Sequence, residues 1–281
     1  MASSILWSQL LLSSCVATVM AGIASWMWPR ARPVRHFASA AGWLSLATAL
    51  VAWVLRWNEA GHLPLFGTYE SGLSLALAIL ISAAVFQAGG SDWMATWPAS
   101  SAVVAVIIAH ALRYDTTAYA LTISERSWVV EVHAVLSWAA FAVLSSQFGF
   151  ALYRLLVKSD SEQLDRRLAF SLRLSFLLHT AMITSGSIYK FLLFGSAWSF
   201  DPVETLGLVA WMAYATLLHM HLLAGWQGRR LASWSAALFA ILFISYRGIV
   251  YFPAWSTYHI FDVDLRLHLT GEAGEDSGER P

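Results

Sequence analysis

Phe194-Gly195-Ser196-Ala197-Trp198-Ser199-Phe200-Asp201-Pro202-Val203-Glu204-Thr205 joins two apolar segments of a 281-residue chain. Its second half reads as a helix start. Asp201 suits the N-cap, Pro202 the first helical position and Glu204 the third, a capping-box arrangement. Capping accounts for Asp201 and Glu204 without any chemistry. It leaves unexplained the aromatic, glycine-containing run in front of the cap. Where that run lies decides both the fold and the candidate site.

The segments on either side of it are two of many. Hydrophobic residues make up 58% of the chain and charged residues 12%, against about 25% charged in soluble domains. A bilayer-spanning helix needs about 20 mainly apolar residues. Eight windows meet that length, at about 5–28, 38–56, 67–87, 93–112, 131–154, 174–194, 205–225 and 231–252. The expected fold is an all-α integral membrane protein of about eight transmembrane helices. It forms one polytopic domain over residues 1–262, followed by a flexible tail over 263–281 rich in Gly and acidic residues. The first window lacks a basic leader and is long enough to span, so it does not read as a signal peptide.

Charge sets the expected orientation. Arg30, Arg32, Arg35, Arg154, Lys158, Arg166, Arg167, Arg173, Arg229 and Arg230 cluster in one set of loops. The opposite set holds the more scattered Arg56, Arg113, Arg126, Lys190, Arg247, Arg266 and Arg280. The first set is assigned to the cytoplasm, which places both termini and the 194–205 loop on the outer side. The formal net charge is zero, so nothing points to nucleic acid. The single cysteine, Cys15, lies in an apolar segment, which argues against thiol-disulfide or zinc chemistry in this chain. Fifteen tryptophans exceed what an interfacial belt needs and suit a large flat aromatic ligand.

Nine histidines are the main source of chemistry. Neutral imidazole is a common metal and heme-iron ligand, and an ionisable group within lipid is costly enough to have a purpose. His133 opens the fifth span and His259 follows the eighth, both on the side of the aromatic loop. Two such imidazoles approaching a flat ring from either face would ligate its iron, although each also reads as an ordinary interfacial histidine. Deeper in the membrane, His219 is fourteen residues inward from Thr205, about 21 Å down. His179 is fifteen residues inward from Phe194, about 22 Å down. Equal depth on adjacent helices predicts a second two-histidine site, or else a hydrogen-bonded buried pair. His62 and His110 belong to the outer interface, His221 to headgroup level, and His36 and His268 carry no assignment. Arg247, about five residues from the outer end of its span, needs a carboxylate. Asp201, Glu204 and a heme propionate are candidates, and snorkelling is the plainer alternative.

Gly195-x-x-Trp198-x-Phe200-Asp201-Pro202-x-Glu204-Thr205, followed by Trp211, Tyr214, Leu218 and His219, resembles the tryptophan-rich "WWD" segment of the cytochrome c assembly family. The D-P-x-E-T form is most similar to the CcsA (ResC) branch of system II. Gly61-His62-Leu63-Pro64, Tyr69-Glu70-Ser71 and Ile183-x-x-Gly186 also resemble family segments, and the likeness covers most of residues 60–260. Phe194 and Phe200 stand where that family carries tryptophan, and Val203 where a basic residue is common.

The resemblance implies heme handling: heme b held at the outer aromatic site for attachment to apocytochrome c. By position, His133 and His259 match the outer iron ligands and His219 the intramembrane ligand. Trp198, Phe194, Phe200, Asp201 and Arg247 would line the heme, with His179 beside the buried site. No residue is assigned a catalytic role, because the addition chemistry belongs to heme and thiols. The implied partners are heme, apocytochrome c and a CcsB/ResB-like membrane protein. The implied location is a bacterial cytoplasmic membrane or a thylakoid. Three alternatives stay open at this stage: a b-type heme electron-transfer subunit, a HemX-like regulator of heme synthesis, and a structural or regulatory membrane protein that holds no heme.

Overall fold

A computed structural model describes residues 3–28, 31–88, 93–114, 116–118, 121, 125–157 and 161–249, with the side chains of 93–94 and 245–249 excepted. His259, the side chain of Arg247 and the tail 263–281 lie outside the described residues. Each apolar window has become a helix: α1 (Ser3–Met27), α2 (Arg32–Ala60), α3 (Thr68–Ala88), α4 (Trp93–Ala111), α5 (Trp128–Leu156), α6 (Glu162–Phe194), α7 (Pro202–Leu223) and α8 (Gly228–Ile249). Six of them, α1, α2, α3, α5, α6 and α7, are long and apolar enough to cross a membrane. There are no strands among the described residues. α6 starts well before its apolar window, because Ser161 caps it by accepting from Leu164 N at 3.3 Å. The added turns carry Glu162, Asp165, Arg166 and Arg167.

In lipid there is no hydrophobic force pushing helices together, so close packing depends on small residues and polar cross-links. α1 to α5 show both. α1 turns Ser4, Ser8, Ser14, Thr18 and Ser25 inward, and most of these hydroxyls donate to their own helix, as Ser8 does to Ser4 O and Thr18 to Ser14 O. Gly42 lies so close to the buried Trp97 ring that an added Cβ would sit 2.5 Å from it. At Gly149 the same atom would be 2.5 Å from the Ala95 carbonyl oxygen. Ser82 and Ser146 join α3 to α5 at 2.8 Å, and Gln147 donates to Ser235 of α8 at 3.0 Å. One buried apolar cluster takes residues from all eight helices, from Leu11 in α1 to Phe239 in α8.

α7 is packed differently. Along 22 residues it buries only Tyr214 and Leu217. Midway along, Trp211 holds it to α6, stacking on Phe176 at 5.4 Å and donating to Thr180 Oγ1 at 2.8 Å.

Candidate functional site

The 195–201 loop is fixed by a buried ionic clamp. Gly195 ends α6 in the left-handed region, φ 71°, with its N–H on Phe191 O. Lys190, 6% exposed, donates to Ser199 Oγ and to Glu204 Oε1. Glu204 Oε2 accepts from the Ser199 amide at 2.9 Å. Asp201 Oδ1 accepts from Val203 N at 2.8 Å. The expected capping box is thus half formed. Asp201 caps α7 as predicted, but Glu204 reaches past the cap to Ser199 because Lys190 draws its carboxylate towards α6. Sequence reading counted Lys190 only as a scattered outer charge. A lysine one turn from the end of an apolar span, five residues before the C-capping glycine, was the available signal.

The clamp sets the backbone between its anchors. Phe200 adopts φ 58°, and no other non-glycine described residue has positive φ. A bulky residue there is strained. The strain turns its ring outward, 79% exposed, where it meets Trp198 edge-to-face at 6.4 Å. Phe194, half exposed, sets its ring edge-to-face with Tyr189 at 6.2 Å. Tyr189 in turn packs with Val130, Leu65 and Phe66, linking the loop to the start of α5.

His133 stands on that part of α5. Its Nδ1 is 3.0 Å from Met182 O and 3.3 Å from Ser185 Oγ. A carbonyl can only accept, so Nδ1 carries the proton and Nε2 the lone pair. Gly186 is what lets the ring lie on α6. A Cβ there would be 2.7 Å from His133 Cε1 and 3.0 Å from Nδ1. Gly186 is eight residues below Phe194, about 12 Å along α6.

The deeper histidines do not pair. His219 is exposed on α7 with Nδ1 2.8 Å from Ala215 O, which gives it the same tautomer. His179 is buried, 4% exposed, beside the Gly207 main chain, and its Nε2 has no hydrogen-bond partner. The expectation of one shared depth fails because His179 faces Gly207, twelve residues before His219 on α7, about 18 Å along that helix. Consistently, it is Arg173, not His179, that meets the α7 turn near His219, through His221 at 3.4 Å. His62 Nδ1 also bonds a main-chain carbonyl, Leu63 O at 3.0 Å, so the tautomer alone does not single out a ligand.

A second buried polar group was missed. Arg56, 2% exposed, pairs with Glu70 at 2.8 Å. It also donates to Thr116 O at 2.6 Å and Thr117 O at 3.1 Å, pinning the chain after α4 to the start of α3. Among the described residues, no cluster of three or more His, Cys, Asp or Glu side chains suits a bare metal ion.

Residues 43–254 match the family model of the cytochrome C assembly protein. The chain belongs to that family. The match takes in the clamp, the aromatic loop, His133, His179 and His219, and ends five residues before His259. Among curated relatives of this cytochrome c assembly chain, the cytochrome c biogenesis protein CcsA of Synechococcus sp. (strain RCC307) is 30% identical over 243 residues, covering 73% of this chain and 78% of that protein. CcsA of Parasynechococcus marenigrum (strain WH8102) is 27% identical over 243 residues, covering 70% and 77%. Among solved structures, the cytochrome c heme lyase CcmF superposes with a TM-score of 0.66 at 16% identity. It covers 96% of this chain, which spans 48% of the CcmF chain, and it supports the fold alone.

Proposed function

We propose that this membrane protein receives heme b and presents it at the 194–205 end of the bundle for covalent attachment to apocytochrome c. The observation that carries the reading is a strained, outward-facing aromatic ledge at one end of α6 and, about 12 Å along the same helix, a histidine whose Nδ1 proton is already committed to Met182 O. An imidazole held by its Nδ1 proton in the Nε2-lone-pair tautomer, and exposed flat rings, suit an iron macrocycle, so these residues fit the cargo. His133 would ligate iron through Nε2. His259 would take the opposite face, since α8 carries the chain back to this end ten residues before it. Arg247, near the end of α8, would hold a propionate through its guanidinium. Trp198, Phe194 and Phe200 would pack against the ring, with Asp201 and Lys190 keeping the loop in place. The 194–205 end is the outer face of a bacterial cytoplasmic membrane, since the opposite end carries the dense arginine clusters.

His219 supports a partner. Its ring is exposed at the protein surface and Nδ1 is committed to Ala215 O, so a second imidazole for the same iron has to come from another chain. A CcsB/ResB-like membrane protein is the proposed source.

The attachment needs no redox co-reactant. Each apocytochrome thiol adds across a heme vinyl double bond, sulfur to one carbon and proton to the other. The chain's own part is to bind, orient and shield.

The test is to purify the chain with its partner and quantify heme from its absorbance. His133→Ala is expected to lose most of the loop-end heme and His219→Ala the intramembrane heme, each with unchanged gel-filtration behaviour. Full heme content in the variant lacking His133, His219 and His259 together would sink the proposal.

A further inference from the structure

Away from the heme reading, an apolar groove of about 770 Å³ runs between α3 and α6 with α5 as its floor. Ile81 and Val85 form one wall, Phe170 and Leu174 the other, and Val135 and Ala139 lie beneath. Every one of these is apolar, and Val85, Val135 and Phe170 are 65%, 54% and 55% exposed. The groove is not closed on itself at its basic end. There Gln163, Arg166 and Arg167 complete the lining.

The two arginines differ. Arg167 donates to Phe86 O across the mouth at 3.5 Å, which holds its guanidinium over the groove. Arg166 pairs with Glu162 at 2.5 Å, with side chains 64% and 85% exposed. An ion pair that exposed contributes little, so a phosphate competes readily for Arg166. From Gln163 to Leu174 is eleven residues, about 16 Å of helix and about half the hydrocarbon thickness. The α6 wall therefore matches one leaflet, with cations at headgroup level and aliphatic surface below.

We propose that this groove seats one anionic phospholipid from the leaflet at the basic end of the bundle. Its phosphate would lie on Arg166 and Arg167, its polar head within reach of Gln163, and one acyl chain along Phe170, Leu174 and Val143 towards Ala139. Bidentate guanidinium geometry favours phosphate. The net charge of a zwitterionic head gives it no comparable attraction. The seat would tie α3, α5 and α6 together across a gap that no side chain fills, on the face of α5 that looks away from α7.

The full-length protein is extracted in mild detergent, offered phosphatidylglycerol or phosphatidylcholine, and weighed by native mass spectrometry. The expected result is a one-to-one phosphatidylglycerol adduct about tenfold more abundant than the phosphatidylcholine adduct. Arg166→Gln combined with Arg167→Gln should bring it down to the phosphatidylcholine level. Ala139→Phe fills the floor while keeping both arginines, and should remove the adduct as well. Circular dichroism and gel filtration establish that both variants are folded. Equal adducts with the two lipids, no adduct with either, or a phosphatidylglycerol adduct that survives both variants would overturn the proposal. So would a heme absorbance band lost on changing the arginines, which would make heme the occupant instead.

Discussion

α1–α5 and α6–α8 are built from the same kinds of apolar residue, yet they pack in opposite ways. In the first group glycines are contact points. Gly22 lies where a Cβ would be 2.2 Å from the Pro98 ring, and Gly42 and Gly149 face Trp97 and the Ala95 carbonyl as closely. In the second group Gly186 is such a point on the seam with α5, but a Cβ on Gly207 or Gly195 would meet nothing within 4 Å. The first group touches itself. The second, apart from its seam with α5, holds itself by a few polar links and leaves Ile188, Phe191, Leu193 and Val209 exposed. Helices gain nothing by hiding apolar surface from lipid. An open apolar face on α6 and α7 is therefore stable as it stands, and is available to cargo or to a second chain. Stability resides in the first group, and the candidate chemistry lies in the second and on its seam with α5, where His133 stands.

The sharpest way to break this contrast is Gly149→Leu. A side chain driven into the Ala95 carbonyl forces α4 and α5 apart, and overpacking typically costs about 1–3 kcal/mol even where neighbours can yield. Recovery of monodisperse protein is expected to collapse. Next comes Lys190→Met, which leaves Glu204 buried without its cation, a loss on the order of 3 kcal/mol for a buried pair. Adding Glu204→Gln should recover much of the melting temperature. If the double variant is no more stable than Lys190→Met alone, the clamp is not what holds the loop. Phe200→Gly should act in the other direction. It relieves a left-handed backbone worth about 1 kcal/mol, so the protein melts later while its heme content falls. A rise in both would show that the ledge does not touch heme. Gly207→Ala should be the mildest. Helix propensity favours alanine by about 1 kcal/mol, and the open surroundings offer no clash to offset it, so a small gain in melting temperature is expected.

The helices were legible because span length and apolarity are local properties, and the longest extension beyond a window, in α6, is the one that carries Glu162–Arg167. The cap at Asp201 was legible for the same reason. The partner of Glu204 was not, since it depends on a lysine fourteen residues earlier that reaches the carboxylate only once α6 and α7 are antiparallel. Which turn of α7 each α6 residue faces is likewise a tertiary fact, and it separates His179, beside Gly207, from His219. His133 was found as a residue type at a plausible height. Its tautomer and its need for Gly186 are tertiary facts, invisible until α5 lies on α6. Arg56 and Glu70 sit fourteen residues apart on different helices, and neither position alone announces that both are buried.

α6 is a single uninterrupted helix of 33 residues, about 50 Å long against about 30 Å of hydrocarbon. It carries the aromatic loop at one extremity and the phosphate-facing arginines at the other. A rigid rod of that length is a lever. Pivoting it by about 10° at its middle would swing each extremity by about 4 Å in opposite directions. Whatever grips the arginine end thereby sets the reach of Trp198 and Phe200 on the far side of the membrane.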